Sequence, residues 1–345
     1  MSARALPCSP VLFDAYAFID WSSRTGRGPV RPRKDSIWIG TSRRGSRAAA
    51  RYCRTRAEAT EVVRSFLVEA LRRGDRVLVG FDFPYGYPAG LAAAAGWGSP
   101  AWRAAWDAIS ARLEDGDDNR SNRFLVAEAL NQLVGDGPGP FWGRPVPARS
   151  RRGTRWRALE RDSPGFPFAL RGTGALERLR LCDRRLRGTQ ECWKLFGIGS
   201  VGSQALTGIP RVRSLRFDPA LSGASAVWPF ETGFTAAFDA RIVHAEIWPG
   251  VVNEAVARHT ESIRDEAQVL AMCEWVRGLD SRGALGPLFE RPADVSEAQL
   301  RAIRDEEGWV LGCGSRAGAT PRSSAGLMQR ETAELTASDR RSRQS

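Results

Sequence analysis

The sequence predicts an α/β protein with a mixed β-sheet flanked by helices, in which antiparallel first strands are followed by parallel ones. Residues 13–20, FDAYAFID, alternate β-forming residues over the length of a strand. DSIWIG at 35–40 and ARYCR at 50–54 follow after short loops, which favour antiparallel neighbours. A helix and a further apolar strand come next, and a helix that links two strands indicates a parallel pair.

The helix after the third strand has its own start and stop signals. Thr55 and Glu58 have the spacing of a capping box, and Gly74 stands where a glycine commonly ends a helix. Between them, apolar residues recur with helical periodicity. The strand over 77–81 follows, and Asp82 comes directly after it. We expect this strand to be central in the sheet and parallel to the first.

Residues 84–190 are less regular and predict a long helical and loop insertion over the sheet. Helices are expected over 99–113 and 122–133. The segment 135–175 is rich in proline, glycine and arginine, as long functional or mobile loops often are.

Regular structure is expected again in the last part of the chain. A strand over 240–249 ends at a proline, a helix begins at about 264, and two short helices end near Glu307. We interpret residues 10–313 as one domain, and the polar segment 314–345 as a disordered tail.

Cysteine usage and hydropathy exclude several classes of protein. The six cysteines form no CxxC pair, and the chain has two histidines, so a zinc ribbon, a redox motif and a disulfide framework are not expected. No apolar run has the length of a membrane span, and the first residues do not resemble a secretory signal. These features predict a cytoplasmic protein that does not cross a membrane.

The net charge of +12 suggests a nucleic acid or a phosphorylated small molecule as a partner. Nearly all of the positive charge is arginine, since Lys34 and Lys194 are the only lysines. A GC-rich genome also favours arginine over lysine, so the charge does not by itself indicate such a partner. The basic cluster at 149–157 could contact phosphates or could be a solvated loop.

Acidic residues end three of the predicted strands. Asp20, Asp82 and Glu246 each follow an apolar run, and Asp265 stands at the start of a helix. Carboxylates at the same ends of neighbouring strands would converge, and they would raise one another's pKa unless a cation lay between them. The alternative is that each acid caps a loop or pairs with an arginine.

Four converging carboxylates would suit Mg²⁺ or Mn²⁺, which prefer hard oxygen ligands. Two such ions can activate water for in-line attack on a phosphodiester. Asp20, Asp82, Glu246 and Asp265 are therefore the predicted metal ligands and catalytic residues.

The order of these motifs, FIDWSS, DFPYGYP, EIWPG and RDEAQV, resembles the ribonuclease-H-like superfamily. The closest likeness is to a group described only as predicted nucleases. The chain is also similar to bacterial proteins with DWS…DSIW and WKLFGIGSVGSQALTGIP, some labelled for cobalamin or molybdopterin synthesis. The resemblance spans about residues 13–313. It implies a ribonuclease-H-like sheet and metal-dependent hydrolysis, but no particular substrate.

The glycine-rich segment GIGSVGSQ, residues 197–204, is a candidate phosphate-binding loop. It lacks the ending of a P-loop, so a tight turn near the acids is the alternative. The candidate phosphate or substrate contacts are Lys194, Gly199, Ser200, Gly202, Ser203 and Gln204.

Aromatic and histidine residues near the motifs have two interpretations. His244 is a candidate general base or a residue of the sheet interior. Five tryptophans are candidates for stacking on bases or for the core: Trp21, Trp38, Trp193, Trp228 and Trp248.

These observations predict a metal-dependent nuclease or phosphodiesterase. Two alternatives remain open. One is a phosphotransferase that handles a nucleotide or cofactor through the glycine loop, and the other is a non-catalytic nucleic-acid-binding protein.

Overall fold

The computed structural model describes residues 11–145, 158–261 and 263–314. The basic cluster at 149–157 and nearly all of the predicted tail at 314–345 lie outside the described residues.

The first third of the chain forms an antiparallel meander, a helix and a parallel strand, as the sequence predicts. The elements are β1 (Ala15–Asp20), β2 (Ile37–Arg43), β3 (Ala49–Cys53), α1 (Arg56–Arg73) and β4 (Val77–Phe81). The Thr55 hydroxyl accepts a hydrogen bond from the Glu58 amide at the start of α1. The Glu58 carboxylate instead accepts from the Arg54 amide, so the reciprocal half of the predicted capping box is shifted by one residue.

The middle of the chain contains more regular structure than the sequence predicts. Its elements are α2 (Leu91–Ala94), α3 (Ala101–Arg112), α4 (Arg123–Val134), β5 (Phe168–Ala169), β6 (Ala175–Leu176) and α5 (Val201–Arg216). Helix α5 was not predicted, because Gly202, Gly208 and Pro210 all lower helix propensity. Tertiary packing compensates for that loss: Gly202 and Gly208 lie where a side chain would collide with neighbouring atoms.

The last third adds two parallel strands and the long helix that covers one face of the sheet. The elements are β7 (Ser225–Trp228), β8 (Ile242–Glu246), α6 (Asn253–Val256), α7 (Arg264–Ser281) and α8 (Glu297–Ala302). A π-helical turn, Ile303–Glu307, extends α8 to the predicted end. β7 was not predicted.

The six-stranded sheet has the order β3-β2-β1-β4-β8-β7. β1 pairs antiparallel with β2, and β2 pairs antiparallel with β3. β1, β4, β8 and β7 are mutually parallel. The predicted mixed sheet is therefore confirmed, and β4 is central in it.

Two hydrophobic cores cover the two faces of this sheet. Ile19 and Phe81 point to the face covered by α1, α5 and the insertion. Phe18 and Leu78 point to the face covered by α7. Gly40 lets α7 approach β2 closely, since a Cβ there would lie 2.6 Å from the Val269 carbonyl oxygen. This contact places the first turn of α7 beside the end of β1.

Among the described residues, each helix is too short or too polar to cross a membrane. Five of the cysteines are buried and free of disulfides: Cys53, Cys182, Cys192, Cys273 and Cys313.

Candidate active site

Asp20 and Asp82 lie side by side at the carboxyl ends of β1 and β4. The strands are in register with Ile19 opposite Phe81, and the Asp82 amide donates to the Ile19 carbonyl at 3.1 Å. The next pair along the strands is therefore Asp20 and Asp82. Side chains alternate between faces, so both carboxylates belong to the face that carries Phe18 and α7.

Asp265 reaches the same face from the first turn of α7. It is 8% exposed, and its Oδ2 accepts a hydrogen bond from the Ser36 amide at 3.2 Å. The Trp21 amide donates to Asp82 Oδ1 at 2.7 Å. Three of the four predicted acids therefore converge at one edge of the sheet, next to the start of β2.

A fourth carboxylate, Asp35, belongs to this edge and was missed from the sequence. It lies just before β2, has a φ of +63°, and lines the same cleft as Asp20 and Asp265. The signal was present, since β2 was expected to run antiparallel to β1 and therefore to begin where β1 ends. An acid before β2 must lie near an acid after β1.

Burial and mutual repulsion raise the pKa values of these carboxyl groups. The pKa of Asp20 is raised mainly by burial and then by the charges of Asp82, Asp265 and Asp35. Burial also raises the pKa of Asp82 and of Asp265, although backbone amide donors oppose the effect. Within the described residues, no lysine or arginine forms a salt bridge with Asp20, Asp82 or Asp265.

Glu246 lies beside Asp82, and its charge raises the pKa of Asp82, but it pairs with an arginine and does not line the cleft of Asp20 and Asp265. It lies opposite Phe81 in the β4–β8 register, which is one position out of step with Asp82. Its carboxylate accepts hydrogen bonds from both terminal nitrogens of the buried Arg180, at 2.6 and 2.7 Å, and one from the Tyr85 amide at 2.9 Å. For this acid the arginine-pairing alternative describes the structure.

Arg180 itself is held from two sides. Its guanidinium also donates to Asp183 at 2.9 and 3.1 Å and to the Glu307 carbonyl at 3.0 Å. Asp82, Arg180, Asp183 and Glu246 share a small cavity of about 80 Å³. Arg180 and Asp183 carry no motif that the sequence alone would reveal.

A cleft of about 820 Å³ opens over Asp20, Asp35 and Asp265. Its cationic lining residues are Arg24, Lys34 and Arg123. Burial lowers the pKa of Arg123 to about 10, which leaves its guanidinium charged at neutral pH. A bound cation and a phosphate group would need acids and cations in one cleft, and this cleft contains both.

The glycine-rich segment forms one wall of the same cleft. Gly199 and Ser200 precede α5, and Gln204 lies in its first turn; all three line the cleft. The Gln204 side chain donates to the Trp21 carbonyl at 2.6 Å. The segment is thus a tight turn next to the acids.

The other candidate phosphate contacts have internal roles. Lys194 Nζ donates to the Ile198 carbonyl at 2.7 Å, and the Ser203 hydroxyl donates to the Leu195 carbonyl at 2.6 Å. A Cβ on Gly202 would lie 2.5 Å from the Cys192 carbonyl oxygen, so this glycine serves close packing.

His244 and the tryptophans are part of the interior. His244 is fully buried within β8, and burial lowers its pKa to about 3, so its imidazole is neutral. It does not line the cleft. Trp21, Trp38, Trp193 and Trp228 are buried, and Trp248 packs partly buried against the core on the α7 face.

The described part of the chain contains no group of three or more His, Cys, Asp or Glu side chains that could hold a metal ion as they are placed. The acids in and beside the cleft are oxygen donors, the ligand type that Mg²⁺ and Mn²⁺ prefer. A bound cation would offset the electrostatic repulsion among these carboxylates. The donor set fits such an ion by its chemistry and charge.

Comparison with protein-family models, with curated proteins and with solved structures finds no match for this chain.

Asp20→Asn is expected to raise the melting temperature of the metal-free protein at neutral pH. The folded protein holds the Asp20 proton at a pH where the unfolded chain has lost it. The free energy of unfolding therefore falls as the pH rises from the ordinary aspartate pKa, about 4, through the raised pKa of Asp20 in the folded protein. Asparagine carries no such proton, so the variant does not lose this stability. The gain should be about 1.5 °C per kcal/mol of relieved repulsion in a chain of this size.

Thermal denaturation in EDTA across a pH series measures this effect. The difference from wild type should vanish below about pH 4, where both forms are neutral. Asp136→Asn is the matched control, since Asp136 is exposed and pairs only with the exposed Arg171. An Asp20→Asn protein that melts below wild type at neutral pH would contradict the repulsion argument.

Proposed function

We propose that this chain is a metal-dependent phosphodiesterase or nuclease of ribonuclease-H-like architecture. The observation that carries the proposal is the group of acids at one sheet edge, Asp20, Asp82 and Asp265, which repel one another and form no salt bridge among the described residues. Several buried acids elsewhere do pair with arginine: Asp183 and Glu246 pair with Arg180, and Glu191 pairs with Arg178. In a chain with 51 lysines and arginines, three neighbouring acids without a salt bridge among the described residues are suited to an external cation.

The sheet supports the architectural part of the proposal. An antiparallel β1–β2–β3 meander followed by parallel β4 and β8 is the arrangement that the motif resemblance implies. Asp20 and Asp82 stand at adjacent strand ends in it. Asp265 reaches them from a later helix.

Asp20, Asp82 and Asp265 would hold the ion, and Asp35 is close enough to add a fourth oxygen donor. Bound there, Mg²⁺ or Mn²⁺ supplies an activated water and neutralises charge that develops at phosphorus. Arg24, Lys34 and Arg123 bind and orient the phosphate at the cleft rim. Glu246 holds Arg180 in place.

Mn²⁺ titration tests the proposal directly. At about 100 times its dissociation constant, a bound ion stabilises the folded protein by roughly 2.7 kcal/mol, which corresponds to a rise in melting temperature of about 4 °C for a chain of this size. Wild type should show this rise and hydrolyse bis-para-nitrophenyl phosphate only with Mn²⁺ or Mg²⁺. Asp20→Asn should lose both responses, and Asp136→Asn should retain both. No Mn²⁺-dependent shift in wild type would refute the metal site.

A phosphotransferase that handles a nucleotide or cofactor is the second candidate. The observation that favours it is the placement of Gly199, Ser200 and Gln204 in the same cleft as the acids. The same thermal assay separates the two functions. Stabilisation by ATP, by a pterin or by a corrin compound without phosphodiester hydrolysis would favour the phosphotransferase.

A further inference from the structure

The loop before α5 exposes two large apolar side chains at the cleft. Phe196 is 53% exposed and Ile198 is 96% exposed, and both line the cleft. Among the described residues, only Val30 and Leu125 are other large hydrophobic side chains with comparable exposure, and neither lines the cleft. Apolar exposure is therefore concentrated at the mouth of the proposed active site.

The loop is held in shape while its tip remains exposed. Gly197 and Gly199 flank Ile198 with φ values of +88° and +73°, which produces a sharp turn. Lys194 Nζ donates to the Ile198 carbonyl, and its charge lies 5.4 Å from the ring centroid of Trp142. Because the backbone of the tip is already fixed, a ligand that stacks on Phe196 pays little to order this loop.

The charges around the tip narrow the class of ligand. Arg24, Lys34 and Arg123 line the same cleft, and none of them forms a salt bridge with a described acid. An apolar lipid or a hydrophobic peptide would match Phe196 and Ile198 but would offer no negative charge to these cations. A nucleotide chain supplies an aromatic base for the tip and phosphates for the cations.

We propose that Phe196 and Ile198 form a base-stacking platform, and that the cleft takes single-stranded nucleic acid. This inference rests on the proposed function, since it assigns the substrate class of the same cleft. A side chain at the mouth of a cleft can stack only on a base whose face is open, as in single strands and splayed ends. In a continuous duplex the base faces are covered by their neighbours.

Fluorescence anisotropy in EDTA tests the proposal on the full-length protein. The probe is a labelled mixed-sequence DNA of about 12 nucleotides, offered as a single strand and as a blunt hairpin with the same number of phosphates. We expect tighter binding of the single strand. Phe196→Ala should weaken that binding about 10-fold, the typical loss of one base–aromatic stack, and should affect the hairpin much less.

Three further variants make the test specific. Leu125→Ala removes a similarly exposed apolar side chain outside the cleft and should bind like wild type. Phe196→Trp should keep the preference for single strands, and Phe196→Leu, which stays apolar without an aromatic face, should lose it. All four substitutions are at exposed or half-exposed positions, so folding is expected to be retained, and melting curves verify this.

The results of the binding and hydrolysis assays distinguish the stacking platform from the proposed hydrolase activity. Equal affinity for both probes, an unchanged Phe196→Ala protein, or no binding at all would overturn the stacking platform, whatever hydrolysis is measured with Mn²⁺. Single-strand binding that depends on Phe196, in a protein without Mn²⁺-dependent hydrolysis, would support the platform and refute the hydrolase.

Discussion

Asp20→Asn and Asp82→Asn are each expected to lower the rate of Mn²⁺-dependent phosphodiester hydrolysis by about 1000-fold. Metal-ion catalysis contributes several kcal/mol to stabilisation of the transition state, and each 1.36 kcal/mol is a factor of ten in rate. Both carboxylates face the α7 side at adjacent strand ends, so each should be needed to hold the ion. Initial rates with bis-para-nitrophenyl phosphate measure the loss of activity, and calorimetric titration with Mn²⁺ measures the loss of metal affinity.

Asp136→Asn should retain wild-type rates, because Asp136 is exposed, pairs with Arg171 and does not line the cleft. Glu246→Gln tests whether Glu246 is a metal ligand, as the sequence predicts, or only the partner of Arg180. It should keep Mn²⁺ affinity while lowering stability, since it weakens the pair with Arg180. Full activity in both Asp20→Asn and Asp82→Asn would refute the site.

Arg180→Met is expected to lower the free energy of unfolding by about 3–5 kcal/mol, the usual cost of leaving buried carboxylates without their partner. Arg180 is 1% exposed, and it donates five hydrogen bonds to Glu246, Asp183 and the Glu307 carbonyl. The corresponding fall in melting temperature is roughly 5–8 °C. Urea and thermal denaturation measure it.

Arg180→Lys should restore little of this loss, because an ammonium group cannot serve two carboxylates in the bidentate manner of a guanidinium. Adding Glu246→Gln to Arg180→Met should recover part of the stability, since it removes one unpaired charge. Arg171→Met is the control and should change stability by less than about 1 kcal/mol, as exposed ion pairs do. An Arg180→Met protein as stable as wild type would show that Glu246 and Asp183 do not depend on this partner.

Local sequence patterns were sufficient to predict the strands and the helix that surround the candidate site. β1, β2, β3, α1 and β4 all follow from alternation, helical periodicity and end signals, and each predicted acid stands where its strand or helix was expected to end or begin. Helix α5 did not follow, because two glycines and Pro210 predict against a helix locally. Close contacts with Phe83 and the Cys192 carbonyl explain those glycines, and such contacts are visible only after folding.

The sequence by itself determined that four acids lie at the ends of regular elements: Asp20, Asp82, Glu246 and Asp265. The reason is that strand and helix ends can be predicted from the local periodicity of apolar residues. Only the tertiary structure decided which of them meet. The register of β8 against β4 places Glu246 opposite Phe81, and its side chain pairs with Arg180 instead of joining Asp20 and Asp265. A shift of one residue in strand pairing exchanges the two faces, and pairing register depends on contacts between distant segments.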